Sequence, residues 1–213
     1  MLDLHNLKVV STVLKAGLWL LLVLPLMVQA SSVRQLSLSE VLDTASLIFA
    51  GEVISSEPRW QESGKAIETH IKFRIDSIIK GQAQGAEIDL TFLGGTVGKV
   101  RQTVNAMRYP SVGEKGVYFV IDPNKNYVHP LVGWSQGHYK EVMVDGRAKM
   151  VTADDRPIMA MRPTSFLSKT SPVLRLSHGS ADGLVFSDKL EDAITKADFL
   201  ERVRSLVAKK NPE

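Results

Sequence analysis

The chain has 213 residues, 44% of them hydrophobic and 23% charged, with 26 Lys and Arg against 23 Asp and Glu. That balance belongs to a globular protein, and a net charge of +3 with both signs interspersed is too weak a field for nucleic-acid binding. The absence of cysteine removes thiol nucleophiles, redox dithiols, iron–sulfur clusters, Cys-based zinc sites and disulfides together.

At the start, Lys8 and Lys15 precede the apolar run Leu18 to Val28, and Val28-Gln29-Ala30 then sets small or apolar residues where a signal peptidase reads. Residues 1–30 therefore read as a secretory signal peptide, cut after Ala30. The run is 11 residues long, whereas roughly twenty are needed to cross a bilayer, so membrane contact is expected only before cleavage. Ser31 stands where lipid attachment would need a cysteine. An exported chain without disulfides suits a bacterial periplasm or exterior better than a eukaryotic secretory route.

Ser39 is expected to cap a short helix running to Ser46, with Val41 and Leu42 facing inward, before a strand over 47–54. From Ile67 to Ile79 apolar and small residues alternate with Glu68, His70, Lys72, Arg74 and Asp76, which predicts a long antiparallel strand with one wet face. Further strands are expected over 87–93, 99–106, 117–121 and 127–132, separated by turns rich in Gly, Asp and Pro. Residues 139–144 and 147–151 form the best hairpin candidate, because Asp145-Gly146 is the dipeptide a two-residue type I′ turn prefers. Short strands with Gly-rich turns predict a mainly β domain over 31–151, a small closed or nearly closed antiparallel barrel. Residues 152–213 read as a Pro-containing extension. It ends in an amphipathic helix over about 195–210, with Thr195 and Asp198 as a capping box and Phe199, Leu200, Val203, Leu206 and Val207 on one face.

The segment from Ala45 to Glu141 resembles a family of small exported bacterial proteins of unassigned activity. The resemblance rests on Leu47 to Val53, Ile79-Lys80-Gly81, Gly94-Gly95-Thr96-Val97-Gly98, Gly113-Glu114 and Gly133-Trp134-Ser135-Gln136-Gly137. Over Leu47 to Leu93 the element order is also similar to a netrin-type OB barrel, the fold of the tissue inhibitors of metalloproteases. The resemblance implies an OB-like, netrin-type barrel and a protein or peptide partner, with a secreted metalloprotease as the candidate class. Those inhibitors chelate zinc through an N-terminal cysteine, and a mature chain beginning Ser31-Ser32 has none.

Several motifs invite catalytic readings. Gly133-Trp134-Ser135-Gln136-Gly137 satisfies the Gly-X-Ser-X-Gly nucleophile elbow, and Asp154 or Asp155 with His178 completes the chain order of a triad. The residues after Ser135 nevertheless read as a strand, where the elbow requires a helix. Gly94 to Lys99 is a poor phosphate loop, with Leu93 at its first glycine position and Val100 in place of Ser or Thr, and a β-bulge or tight bend in a barrel strand is the expectation. Ser77 and Lys80 match Ser-X-X-Lys, but on a strand they point to opposite faces. His70, His129, His138 and His178 have no metal-ligand spacing, so no metal or other cofactor is expected.

The expected function is therefore that of a non-enzymatic binding module. Its expected site is Trp134, Gln136, His138 and Tyr139, where aromatic area lies beside hydrogen-bonding tips. A serine hydrolase built on Ser135, and an envelope- or carbohydrate-binding module using Trp134, are the alternatives.

Overall fold

The first half of one strand and nearly all of its neighbour are buried on both faces and paired on both edges, and the rest of the domain is arranged around them. The structure, a computed structural model, describes residues 33–162 and 179–210. The expected signal peptide and His178 lie outside the described residues.

Helix α1 (Leu38–Thr44) is capped by Ser37, two residues before the expected Ser39. The Ser37 hydroxyl accepts the Glu40 N–H at 3.2 Å, and a Glu40 carboxylate oxygen accepts the Ser37 N–H at 2.7 Å. Partial burial alone would raise the Glu40 carboxyl, but these bonds together with Arg34 outweigh it and hold the group below its ordinary value. At the other end the Lys80 ammonium donates to the Leu42 carbonyl at 2.7 Å, where the helix leaves carbonyls unpaired.

Strands β1 (Leu47–Trp60) and β2 (Ile67–Lys80) pair along nearly their whole length. β3 (Glu87–Leu93) spans the expected residues and pairs with β2. A small hairpin, β4 (Gly95–Val97) with β5 (Val100–Gln102), replaces the single strand expected over 99–106. β6 (Lys115–Val120) pairs with the first half of β1 and with β7 (His138–Val144), which pairs in turn with β8 (Arg147–Thr152). Asp145 (φ 48°) and Gly146 (φ 74°) are both left-handed, as a type I′ turn requires. β9 (Ile158–Met161) and β10 (Leu184–Phe186) form a separate pair, and α2 (Lys196–Lys210) follows.

The order β3-β2-β1-β6-β7-β8 is an antiparallel sheet, as expected, but it is not closed, where the sequence predicts a closed or nearly closed barrel. Both ends of that order meet other chain. Along β8, the Met150 N–H donates to the Ile194 carbonyl and the Thr152 N–H to the Arg156 carbonyl, while the Leu93 N–H of β3 donates to Val128. The strand expected over 127–132 is reduced to one bridge between Leu131 and Val120. Pro130 contributes a carbonyl but no N–H, so the ladder cannot extend through it.

Alternation places two cores on the two faces of the sheet. Ile48, Ala50, Val117, Phe119, Tyr139 and Met150 meet α1 and the Phe199, Val203 and Leu206 stripe of α2. The C-terminal helix thus packs on its own chain. On the other face Leu47, Phe49, Val53, Ile71, Phe73, Phe92 and Tyr118 form the second core. Its centre is the aromatic trio Phe49, Phe73 and Tyr118, with ring centroids 4.7–5.6 Å apart. Register shifts at three places in β1 bend the β1–β2 ribbon, so that Ser56–Trp60 runs exposed past this core. No helix of the described residues is long and apolar enough to cross a membrane.

Phe73 is fully buried, whereas the neighbouring Lys72 side chain is 45% exposed. Phe73→Asp is expected to cost more than about 3 kcal/mol and Lys72→Gln less than about 1 kcal/mol. Denaturant titration of the two variants checks the assignment of faces.

Candidate functional site

The Gly133–Tyr139 segment is a 3-10 turn, Trp134–Gly137, leading directly into β7. Gly133 (φ 55°) and Trp134 (φ 62°) are both left-handed, a conformation costly for a bulky side chain and held here by packing. The Trp134 indole lies parallel to the His129 imidazole, with centroids 5.7 Å apart, and His129 meets Phe92 edge-on at 4.9 Å. Gly137 is required for a different reason. A Cβ there would stand 2.7 Å from the Val132 carbonyl oxygen and 3.0 Å from that of Phe119, so only glycine lets the turn close on β6.

Gln136 is fully buried and its amide is spent on the backbone. Its oxygen accepts the Leu36 N–H at 2.7 Å, and its nitrogen donates to the carbonyls of Arg34 and Gly133 at 2.9 and 3.2 Å. His138 is buried against Tyr118 and donates from Nε2 to Glu114 at 2.5 Å. Burial, with the Glu114 charge second, pushes the Tyr118 hydroxyl well above its ordinary value. The Tyr139 ring packs between Phe119 and Phe199 on the opposite face. His138 Nδ1 and the Tyr139 hydroxyl have no hydrogen-bond partner among the described residues. Of the four expected binding residues only Trp134 is partly exposed. The other three are buried and point to different places, so the four side chains share no surface.

Ser135 is partly exposed on the same turn, but no α-helix follows it whose N-terminus could hold an oxyanion. Asp154 accepts the Thr152 hydroxyl at 2.5 Å in the turn after β8, and His178 lies outside the described residues. His70 sits on the wet face of β2, donating from Nε2 to Glu68 at 2.8 Å and accepting from Arg59 at Nδ1 at 2.7 Å. The His70 bond is the first cause holding the Glu68 carboxyl below its ordinary value. Among the described residues no group of His, Asp and Glu has an arrangement able to hold a metal ion.

A second location, not singled out by the sequence, has the shape of a binding site. It is an open cleft of about 460 Å³ where the exposed end of β1 faces the β4–β5 hairpin, within the size range of small-ligand pockets. Hydrogen bonds fix its walls. The Gly94 N–H donates to the Ile67 carbonyl, the Thr69 hydroxyl to the Gly94 carbonyl, and the Ile67 N–H to the Gln102 side chain, each at 2.7 Å. The Tyr109 hydroxyl donates to the Leu93 carbonyl at 2.7 Å. Gly95 (φ 141°) sits so close to β1 and β2 that a Cβ would stand 2.6 Å from the Thr69 hydroxyl and 2.9 Å from the Pro58 Cβ. The Gly94-Gly95 pair seats the hairpin over the ribbon, and the expected Gly94–Lys99 bend is part of that separate two-stranded sheet.

Around the cleft Ser56, Thr96 and Thr103 present exposed hydroxyls, Pro58, Val104 and Met107 present apolar surface, and Arg101 supplies a cation. The glycines bounding the hairpin were legible in the sequence, but nothing in it marked Thr96, Arg101 or Thr103 as lining a cleft. Compared with protein-family models, with curated proteins and with solved structures, the chain matches none.

Two outcomes test the assignment of the buried polar groups. Gln136→Leu is expected to lower stability by about 2–3 kcal/mol, because it leaves the Leu36 N–H and Arg34 carbonyl without the amide. His129 Nδ1 accepts the Leu131 N–H at 3.2 Å, and burial pushes its pKa down from 6.5 to about 3. The folded protein keeps His129 neutral while the unfolded chain takes up a proton, so stability should fall as pH drops from about 6.5 towards 3. His129→Asn, which keeps an acceptor near Leu131, should lose less stability than the parent between pH 7.5 and pH 5.0 in urea titrations.

Proposed function

We propose that the protein is an exported, non-enzymatic β-sheet module that binds a protein or peptide partner in the cleft beside the β4–β5 hairpin. The observation that carries this reading is the composition of the cleft wall. It offers hydroxyls, an amide, a guanidinium and apolar surface, but no carboxylate or imidazole that could serve one of its hydroxyls as general base. Such a wall can orient a ligand without transforming it. Walls held by hydrogen bonds within the backbone and between side chains and backbone also cost little further ordering when a ligand enters.

In this reading the sheet is an opened relative of the OB-like, netrin-type barrel, with the bent β1–β2 ribbon curling over the aromatic core. Export follows from the signal-like first 30 residues, and a secreted metalloprotease is the partner class that the family resemblance names. Without a cysteine, engagement would run through side-chain and backbone contacts at the cleft and not through zinc chelation.

A photo-crosslinking amino acid at Thr103 is expected to give a discrete protein adduct in cells. The same group at Met143, exposed on β7, should give none. Absence of an adduct from Thr103, or equal adducts from both positions, would overturn the assignment.

A further inference from the structure

Resting on the reading of the cleft as a peptide site, we infer that it selects peptides bearing a carboxylate, which Arg101 receives. Arg101 is the charged residue among those lining the cleft. It is exposed on β5 and has no hydrogen-bond or ion-pair partner among the described residues. The two arginines of the adjacent β1–β2 ribbon are both engaged, Arg59 by His70 and Arg74 by Glu52. A guanidinium with its donors unused beside a preformed cleft is matched by a group that accepts two parallel N–H bonds, and in peptides that group is a carboxylate.

The surroundings fit the rest of such a ligand. Thr96 is the cross-strand partner of Arg101, so the hydroxyl and the guanidinium lie on one face of the hairpin. Ser56 and Thr103 add two groups that both donate and accept, suited to a peptide backbone whose own N–H and C=O groups need partners. Pro58, Val104 and Met107 supply an apolar surface for a neighbouring side chain. The absence of any lining carboxylate leaves nothing to repel an acidic ligand or to compete for Arg101 within the cleft. A lysine-bearing peptide would instead meet the cation with no compensating acid, which makes the same wall a device against basic sequences.

The carboxylate could come from an acidic side chain or from a chain terminus, and the test separates the two. Fluorescence anisotropy with the purified protein would use four labelled pentapeptides. One is blocked at both ends with a central glutamate between leucines; two are its glutamine and lysine analogues; the fourth is the glutamine peptide with a free C-terminal carboxylate. The glutamate or the free-terminus peptide is expected to bind at least about tenfold more tightly than the blocked glutamine peptide, and the lysine peptide most weakly. Arg101→Gln should abolish the difference while thermal stability stays unchanged, and Arg101→Lys should retain part of it. Equal binding of the glutamate, free-terminus and blocked glutamine peptides would overturn the carboxylate selection and leave the peptide site standing. Failure of every peptide to bind, or binding unaffected by filling the cleft with Thr96→Trp, would overturn the peptide site itself. Protection of Arg101 by self-association of the chain would assign the cleft to a second copy and overturn the inference.

Discussion

The domain depends on the burial of the first half of β1 on all sides. From Leu47 to Glu52 this strand pairs with β6 on one edge, and from Ile48 with β2 on the other, while its alternating side chains enter two separate cores. An antiparallel sheet commonly leaves one face to water. Here both faces are covered, one by helices and the β9–β10 pair, the other by the curl of the sheet itself. β1 and β6 both feed the two cores, and this burial gives a chain without a single cysteine its apolar interior.

The same arrangement decides what the polar residues of the Gly133–Tyr139 segment can do. A turn that delivers β7 beside β6 must place alternate side chains into both cores, so His138 goes to the aromatic core and Tyr139 to the helical one. Gln136 then serves as an interior clamp for the segment Arg34 to Leu36 that precedes α1. The hydrogen-bonding capacity that makes the segment attractive as a site is consumed in holding the sheet and its neighbours together. The cleft differs because its satisfied groups are those of the wall, Thr69, Gln102 and Tyr109, while Arg101 projects beyond them without a partner among the described residues.

Legibility in the sequence followed the range of the interactions. β2 and β3 were readable because alternation with one wet face is a local pattern, and the β7–β8 turn because Asp145-Gly146 meets a dihedral requirement of its own. The helix cap was misplaced by two residues, since Ser37 and Ser39 are both suitable donors and acceptors and only the Glu40 carboxylate chooses between them. The opening of the sheet was not readable, because it depends on Ile194 reaching Met150 of β8 from near the far end of the chain. Burial of Gln136 was hidden for the same reason, its partner Leu36 being 100 residues away, and contacts of that span leave no periodicity. The cleft joins three short stretches separated in sequence, and nothing local distinguishes Thr96 and Arg101 from ordinary surface residues.

The docking of α2 has a consequence for the order in which the molecule can be built. Phe199, Val203 and Leu206 complete the core that also contains Leu38, Ile48 and Val117, so the earliest and latest elements of the domain are finished together. A chain emerging from its N-terminus can form the β1–β2–β3 meander early, but its helical face stays uncovered until about residue 206 has emerged. During that interval the apolar residues Ile48, Phe119 and Met150 face solvent, and the β8 backbone groups that Ile194 will occupy form an open strand edge. Folding of this domain is therefore completed only once α2 is available, and until then its helical-face core stays incomplete.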